Sequence, residues 1–136
     1  MNILLDTHAV IWALTNDPRL SERERELISS PENEIVVSAV SLWEIAIKNQ
    51  KAPHLCPYHE RDILEYCLKA GYQIMDIRAK HILSLRALSI KPDRTLANQD
   101  PFDRLLLAQA ISERCFLLSH DRNFDNYDTD CIVNLR

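Results

Sequence analysis

The sequence predicts an α/β fold with a mostly parallel central sheet, and two observations carry that expectation. Short apolar runs of strand length, at residues 3–5, 35–37, 72–77 and 115–119, alternate with segments whose apolar residues recur at helical spacing. Strands separated by helices return to the sheet through crossovers, which makes neighbouring strands parallel. The chain also has only one glycine, Gly71, too few for the many tight turns of an all-β fold. At 136 residues it reads as a single domain over 1–136, long enough to bury a core without disulfides or metal staples.

Taken in order, Ile3, Leu4 and Leu5 suit a short buried strand that stops at Asp6. Val10, Ile11 and Leu14 then give residues 7–14 one apolar helical face, and Asn16-Asp17-Pro18 ends that helix. Ser21 with Glu24 is a capping-box pattern opening a charged helix. Ile35, Val36 and Val37 are β-branched and read as the second strand. Ser41 with Glu44 repeats the capping-box spacing and predicts a helix over 42–49. A loop with two prolines at 51–57 leads to a helix over 62–70, which Gly71 terminates. A strand at 72–77, a helix over 78–88 and a polar stretch at 91–99 follow. Asp100 is then a good N-cap and Pro101 fits the first helical turn, where a missing N–H costs nothing. Leu105, Leu106, Leu107, Ala108 and Ile111 form the apolar face of that helix. The fourth strand, 115–119, runs into His120-Asp121, and 131–133 can add an edge strand.

Composition narrows the function classes. The single glycine excludes Walker and dinucleotide phosphate loops, which need several. The four cysteines, Cys56, Cys67, Cys115 and Cys131, contain no C-x-x-C pair, so they read as reduced, buried hydrophobes and not as a zinc site. No apolar run reaches the length of a membrane span and no signal-peptide pattern opens the chain, so a cytoplasmic protein is expected. Sixteen basic and twenty acidic side chains give a net charge of −4, which usually argues against nucleic acid. That argument weakens if several acids converge on a bound cation, because the rest of the surface is then balanced.

Four acids sit where apolar segments meet polar ones. Asp6 follows the first strand, Asp121 follows the fourth, and Asp103 lies in the first turn of the helix that Asp100 caps. Glu44 is expected in the first turn of the helix after the second strand. In open parallel sheets, sites form beyond the carboxyl ends of the strands, so four distant segments can present carboxylates to one crevice. Each acid has an ordinary alternative as a helix cap, Asp100 and Asp103 together making a variant capping box. Clustered carboxylates repel and some are forced to protonate unless a cation intervenes. An all-oxygen donor set points to Mg²⁺ or Mn²⁺, the ions that act on phosphates by lowering the pKa of a bound water.

The stretches LLDTHAVIWAL (4–14), VSAVSLWEIAIK (37–48), DPFDRLLLAQA (100–110) and LLSHDRNFDNY (117–127) resemble PIN-domain ribonucleases, and within them the VapC toxins of bacterial toxin–antitoxin pairs. The resemblance spans nearly the whole chain. It implies a three-layer α/β/α sandwich, usually dimeric, in which Asp6, Glu44, Asp103 and Asp121 hold the metal for RNA hydrolysis. It further implies supporting roles for Thr7, Asp100 and Ser119, and a VapB-like antitoxin as partner. Such proteins often carry a His where this chain has Asn98. Lys48, Arg104 and Arg122 lie close enough in sequence to the acids to meet RNA phosphates, while ordinary surface charge accounts for any one of them. His8 and His120 read as solvent-exposed or structural histidines, and Trp12, Trp43 and Phe102 read as core aromatics. Two other readings compete: a catalytically silent module whose acids bind a basic partner, and another magnesium-dependent phosphohydrolase. Against the Asp-nucleophile hydrolases stands His8, at the position where a second acid is needed.

Overall fold

The computed structural model describes residues 1–95, 99–133 and 135; Asn98 lies outside them. Its sheet has four strands, β1 (Asn2–Leu5), β2 (Glu34–Ser38), β3 (Gln73–Met75) and β4 (Phe116–Leu118), in the order β3-β2-β1-β4. Every pairing is parallel, with Leu4 opposite both Val36 and Leu117. The helices are α1 (Thr7–Thr15), α2 (Glu22–Ser29), α3 (Ala39–Lys51), α4 (Glu60–Lys69), α5 (Ala79–Ser84) and α6 (Pro101–Ser112). Short 3₁₀ turns occupy Leu85–Ala87 and Arg122–Asn126.

Strands β1, β2 and β4 are buried on both faces apart from their first residues, so their period of two divides the core in two. Ile3, Leu5, Ile35 and Val37 meet Ala9 and Val10 of α1 and Ile63 and Cys67 of α4. Leu4, Val36 and Leu117 meet Leu105, Leu106 and Ala110 of α6. Helix α3 reaches both layers, sending Ile45 into the first and Val40 into the second. The result is the expected three-layer sandwich around a parallel sheet. Because the sheet is entirely parallel, the carboxyl ends of β1 and β4 lie side by side and deliver Asp6 and Ser119 to one edge.

Several local signals act as the sequence indicates. Ser21 and Glu24 form a reciprocal capping box, Asn16 takes the left-handed C-cap of α1 at φ 53°, and Gly71 follows α4 at φ +84°. All four cysteines are free thiols. Among the described residues, no helix is long and apolar enough to cross a membrane.

Four expectations need correction. Helix α3 starts at Ala39, not Leu42, because Ser38 at the end of β2 is the actual N-cap and accepts the Val40 N–H at 3.0 Å. Ser41 and Glu44 therefore lie within the helix, both buried, and form no capping box. The helix expected over 78–88 divides into α5 and the 3₁₀ turn at Leu85–Ala87. Residues 131–133 contribute a single bridge, Ile132 to Leu117, instead of a strand. Trp43, expected in the core, is exposed and packs edge-on against Phe102 at 4.9 Å.

Candidate active site

Asp6 ends β1 and N-caps α1. Its Oδ1 accepts the Ala9 N–H at 2.8 Å, and Ser119 donates its hydroxyl to Oδ2. Ser119 Oγ in turn accepts the Asp121 N–H at 3.0 Å, so one hydroxyl ties the ends of β1 and β4 together. Asp6 is buried, and that burial pushes its carboxyl above the ordinary 3.8, outweighing the hydrogen bonds from Ser119 and Ala9 and the nearby imidazoles of His8 and His120.

Glu44 reaches the same edge from α3. Thr7, the first residue of α1, donates to Glu44 Oε1 at 2.6 Å, and Thr7 Oγ1 also lies 3.0 Å from Ser41 Oγ. The other oxygen, Oε2, lies 2.6 Å from the Lys48 ammonium one helical turn on. Displacement of the helix start thus explains why Glu44 is buried: it sits on the inward face of α3, where its charge is held by a hydroxyl and an ammonium.

Asp103 is a second acid whose surroundings oppose its charge. Asp100 N-caps α6, accepting the Phe102 N–H at 2.8 Å and the Asp103 N–H at 3.1 Å, and so fixes the turn that carries Asp103. The Asp103 carboxyl is pushed up to about 7, first by burial and then by the negative charges of Asp100, Asp121, Glu44 and Asp6. Like charges act on a carboxylate in this way only at short range, so the four acids lie near Asp103. Asp121 stands at its exposed rim, where it caps the 3₁₀ turn through the Asn123 N–H at 2.8 Å.

The structure therefore gathers Asp6, Glu44, Asp103 and Asp121 at one edge, with Thr7, Asp100 and Ser119 bonded to the side chain or backbone of all four: Thr7 to Glu44, Asp100 to the Asp103 N–H, and Ser119 to Asp6 and to the Asp121 N–H. Among the described residues, no group of three His, Cys, Asp or Glu side chains is arranged to hold a metal ion as it stands. Part of the coordinating capacity of Asp6 and Glu44 is already taken by their hydrogen-bond and ammonium partners. Of the basic residues, Lys48 is paired with Glu44 and Arg122 is exposed beside Asp121. Arg104 turns elsewhere, with its guanidinium 3.3 Å from Tyr127 Oη and 3.5 Å from the Leu85 carbonyl, where it braces α6.

One contact beside the site has no signal in the sequence. His120 Nε2 lies 2.5 Å from Oε1 of Glu24, a fully buried carboxylate on α2. The His120 ring also meets Trp12 edge-on at 5.0 Å, and His8 stacks on Trp12 at 5.5 Å. The Ser21–Glu24 spacing announces a cap, but nothing local announces a partner so far along the chain.

This is a parallel α/β/α protein whose acids collect beyond the carboxyl ends of its strands. A family model for the PIN domain matches residues 3–130, and the chain belongs to that family. No curated protein gives a significant match. Among solved structures, the chain is similar to VapBC2 from Rickettsia felis bound to a promoter DNA fragment, with 20% identity, 92% of each chain covered and a TM-score of 0.64. A DNA-bound VapBC from Salmonella typhimurium gives 20% identity over 97% of this chain and 95% of the other, at a TM-score of 0.64. A toxin–antitoxin complex from Klebsiella pneumoniae gives 21% over 97% and 96%, at 0.61. At these identities the likeness is one of fold.

Proposed function

We propose that the chain is a VapC-like, metal-dependent endoribonuclease, with Asp6, Glu44, Asp103 and Asp121 as the acids that hold Mg²⁺ or Mn²⁺. The observation that carries this reading is the state of Asp103, whose carboxyl is raised to about 7 by its burial and by four other acids. Uncompensated negative charge of this kind, presented by oxygen donors alone, suits a hard divalent cation. When bound, such a cation supplies an activated water and neutralises charge on the phosphodiester.

The chain's own residues do the positioning. Ser119 and the Ala9 N–H fix both oxygens of Asp6. Thr7 fixes Glu44, and Asp100 sets the helix start that carries Asp103. Lys48, paired with Glu44, and Arg122, exposed beside Asp121, are the cations that would meet RNA phosphates. Arg104, engaged with Tyr127 and Leu85, is left out of that set. The similarity in fold to the VapBC complexes supports a VapB-like antitoxin partner, and family resemblance supports a homodimer.

A second reading has one observation in its favour. Lys48 shows that a basic side chain fits against Glu44, as it would if the pocket served only to grip a basic partner. Turnover separates the two. Cleavage of a structured RNA by antitoxin-free protein with Mg²⁺ or Mn²⁺ is expected, and is expected to vanish with EDTA and in Asp103→Asn. Cleavage that persists in Asp103→Asn would overturn the assignment, and failure of the wild type on a broad set of RNAs would favour the partner-binding reading.

A further inference from the structure

A groove beside the acidic pocket has the opposite character. It lies between α1, the end of α3 and the loop at 52–58, encloses about 490 Å³ and begins at Thr7 and Lys48, which border the acids. That volume lies within the roughly 300–1,000 Å³ of small-molecule sites. The chain as a whole carries a charge of −4, yet no Asp or Glu is among the described residues that line the groove. Its basic side chains are Arg19, Lys48 and Lys51, with His8 beside them; Arg19 pairs with Asp17 and Lys48 with Glu44.

These cations are arranged around apolar surface. Arg19 lies over the Trp12 ring at 4.8 Å and is held there by a bidentate pair with Asp17. Tyr58 is half-buried against the core. Leu55, 78% exposed, is a large apolar side chain left uncovered at the edge of the groove. Lys51 stands exposed in the last turn of α3 and forms no ion pair among the described residues. Cations flanking an aromatic and aliphatic floor are what single-stranded nucleic acid requires: point charges for phosphates and flat apolar surface for an unstacked base.

We propose that this groove binds a nucleotide of single-stranded RNA next to the scissile phosphate, with Lys51 on its phosphate and its base against Tyr58 and Leu55. The inference rests on the ribonuclease reading for its substrate, and on charge complementarity and continuity with the pocket for its position. A protein segment occupying the same groove is the alternative outcome.

The test is binding without turnover. A fluorescein-labelled single-stranded RNA of mixed sequence is titrated, by anisotropy and in Mg²⁺, into Asp103→Asn protein with and without Lys51→Ala or Tyr58→Ala. Tyr58→Ala is expected to weaken binding about tenfold, as loss of one stacked base does. Lys51→Ala is expected to lower the salt dependence of log affinity by roughly 0.7, one phosphate's worth for a single strand. Quenching of Trp12 fluorescence by RNA should accompany binding. Unchanged affinity and unchanged salt dependence in both variants, with melting temperatures confirming that they fold, would overturn the proposal and leave the groove to a protein segment. Absence of RNA binding by the Asp103→Asn parent would overturn it as well. The two readings fail separately: RNA held by Lys51 and Tyr58 without metal-dependent cleavage sinks only the nuclease reading, and cleavage indifferent to both variants sinks only the groove.

Discussion

Asp103 shows how one residue's surroundings decide its chemistry. Folding pushes its carboxyl from the ordinary 3.8 up to about 7, through burial and the charges of four neighbouring acids. The folded state therefore binds more protons through that interval, and the Asp103 contribution to stability falls as pH rises across it. Asp103→Asn should accordingly raise the melting temperature of metal-free protein at about pH 8 and change it little at about pH 4. Equal effects at both values would show that Asp103 is not under this strain. Thr7 makes the reciprocal case, since its hydroxyl satisfies a buried carboxylate at 2.6 Å. Thr7→Val should cost about 2 kcal/mol in denaturant unfolding, the size of a hydrogen bond to a charged group. Asp6, Asp103 and Asp121 were legible in the sequence because each ends or begins an element with a readable signal. The role of Thr7 came from family resemblance, because its partner lies on another helix and no spacing records it. The contact between Glu24 and His120 is likewise recorded by no spacing, although the Ser21–Glu24 capping box is.

At the scale of elements, the helix starts do most of the placing. Each site acid or its support is an N-cap or lies within the first two turns of a helix, which is why capping signals located so much of the pocket. The exception is α3. Its start was misplaced because two serines compete: Ser41 has the capping-box spacing, while Ser38 ends the strand and has the extended backbone that a cap requires. Ser38 has a second bond that no local pattern reveals, donating its hydroxyl to Oε1 of the buried Gln109 on α6. The Gln109 amide nitrogen lies 3.2 Å from Nδ1 of the buried His81, joining α3, α6 and α5. Gln109→Ala should therefore destabilise the fold by about 2–3 kcal/mol, because it strands polar groups in the core as well as opening a cavity. A loss within the range of an exposed substitution would show that this network is not holding the layers together.

Across the whole molecule, the sheet order β3-β2-β1-β4 is what makes four remote acids neighbours. Strand existence and the parallel sheet were legible from apolar runs and glycine scarcity. The order of the strands was not, because it depends on which faces of α1, α4 and α6 fit together. The same topology sets an acidic pocket beside a groove lined with cations, a contrast that a net charge of −4 conceals. The central claim is that the four acids act as one cation site, and calorimetric titration of Mn²⁺ into wild-type protein and into Asp6→Asn, Glu44→Gln, Asp103→Asn and Asp121→Asn tests it most directly. Wild-type protein is expected to bind saturably and each substitution to weaken binding, with Asp6→Asn and Asp103→Asn losing most. Mn²⁺ binding that is unaltered in Asp103→Asn, in a variant that melts cooperatively, would contradict it.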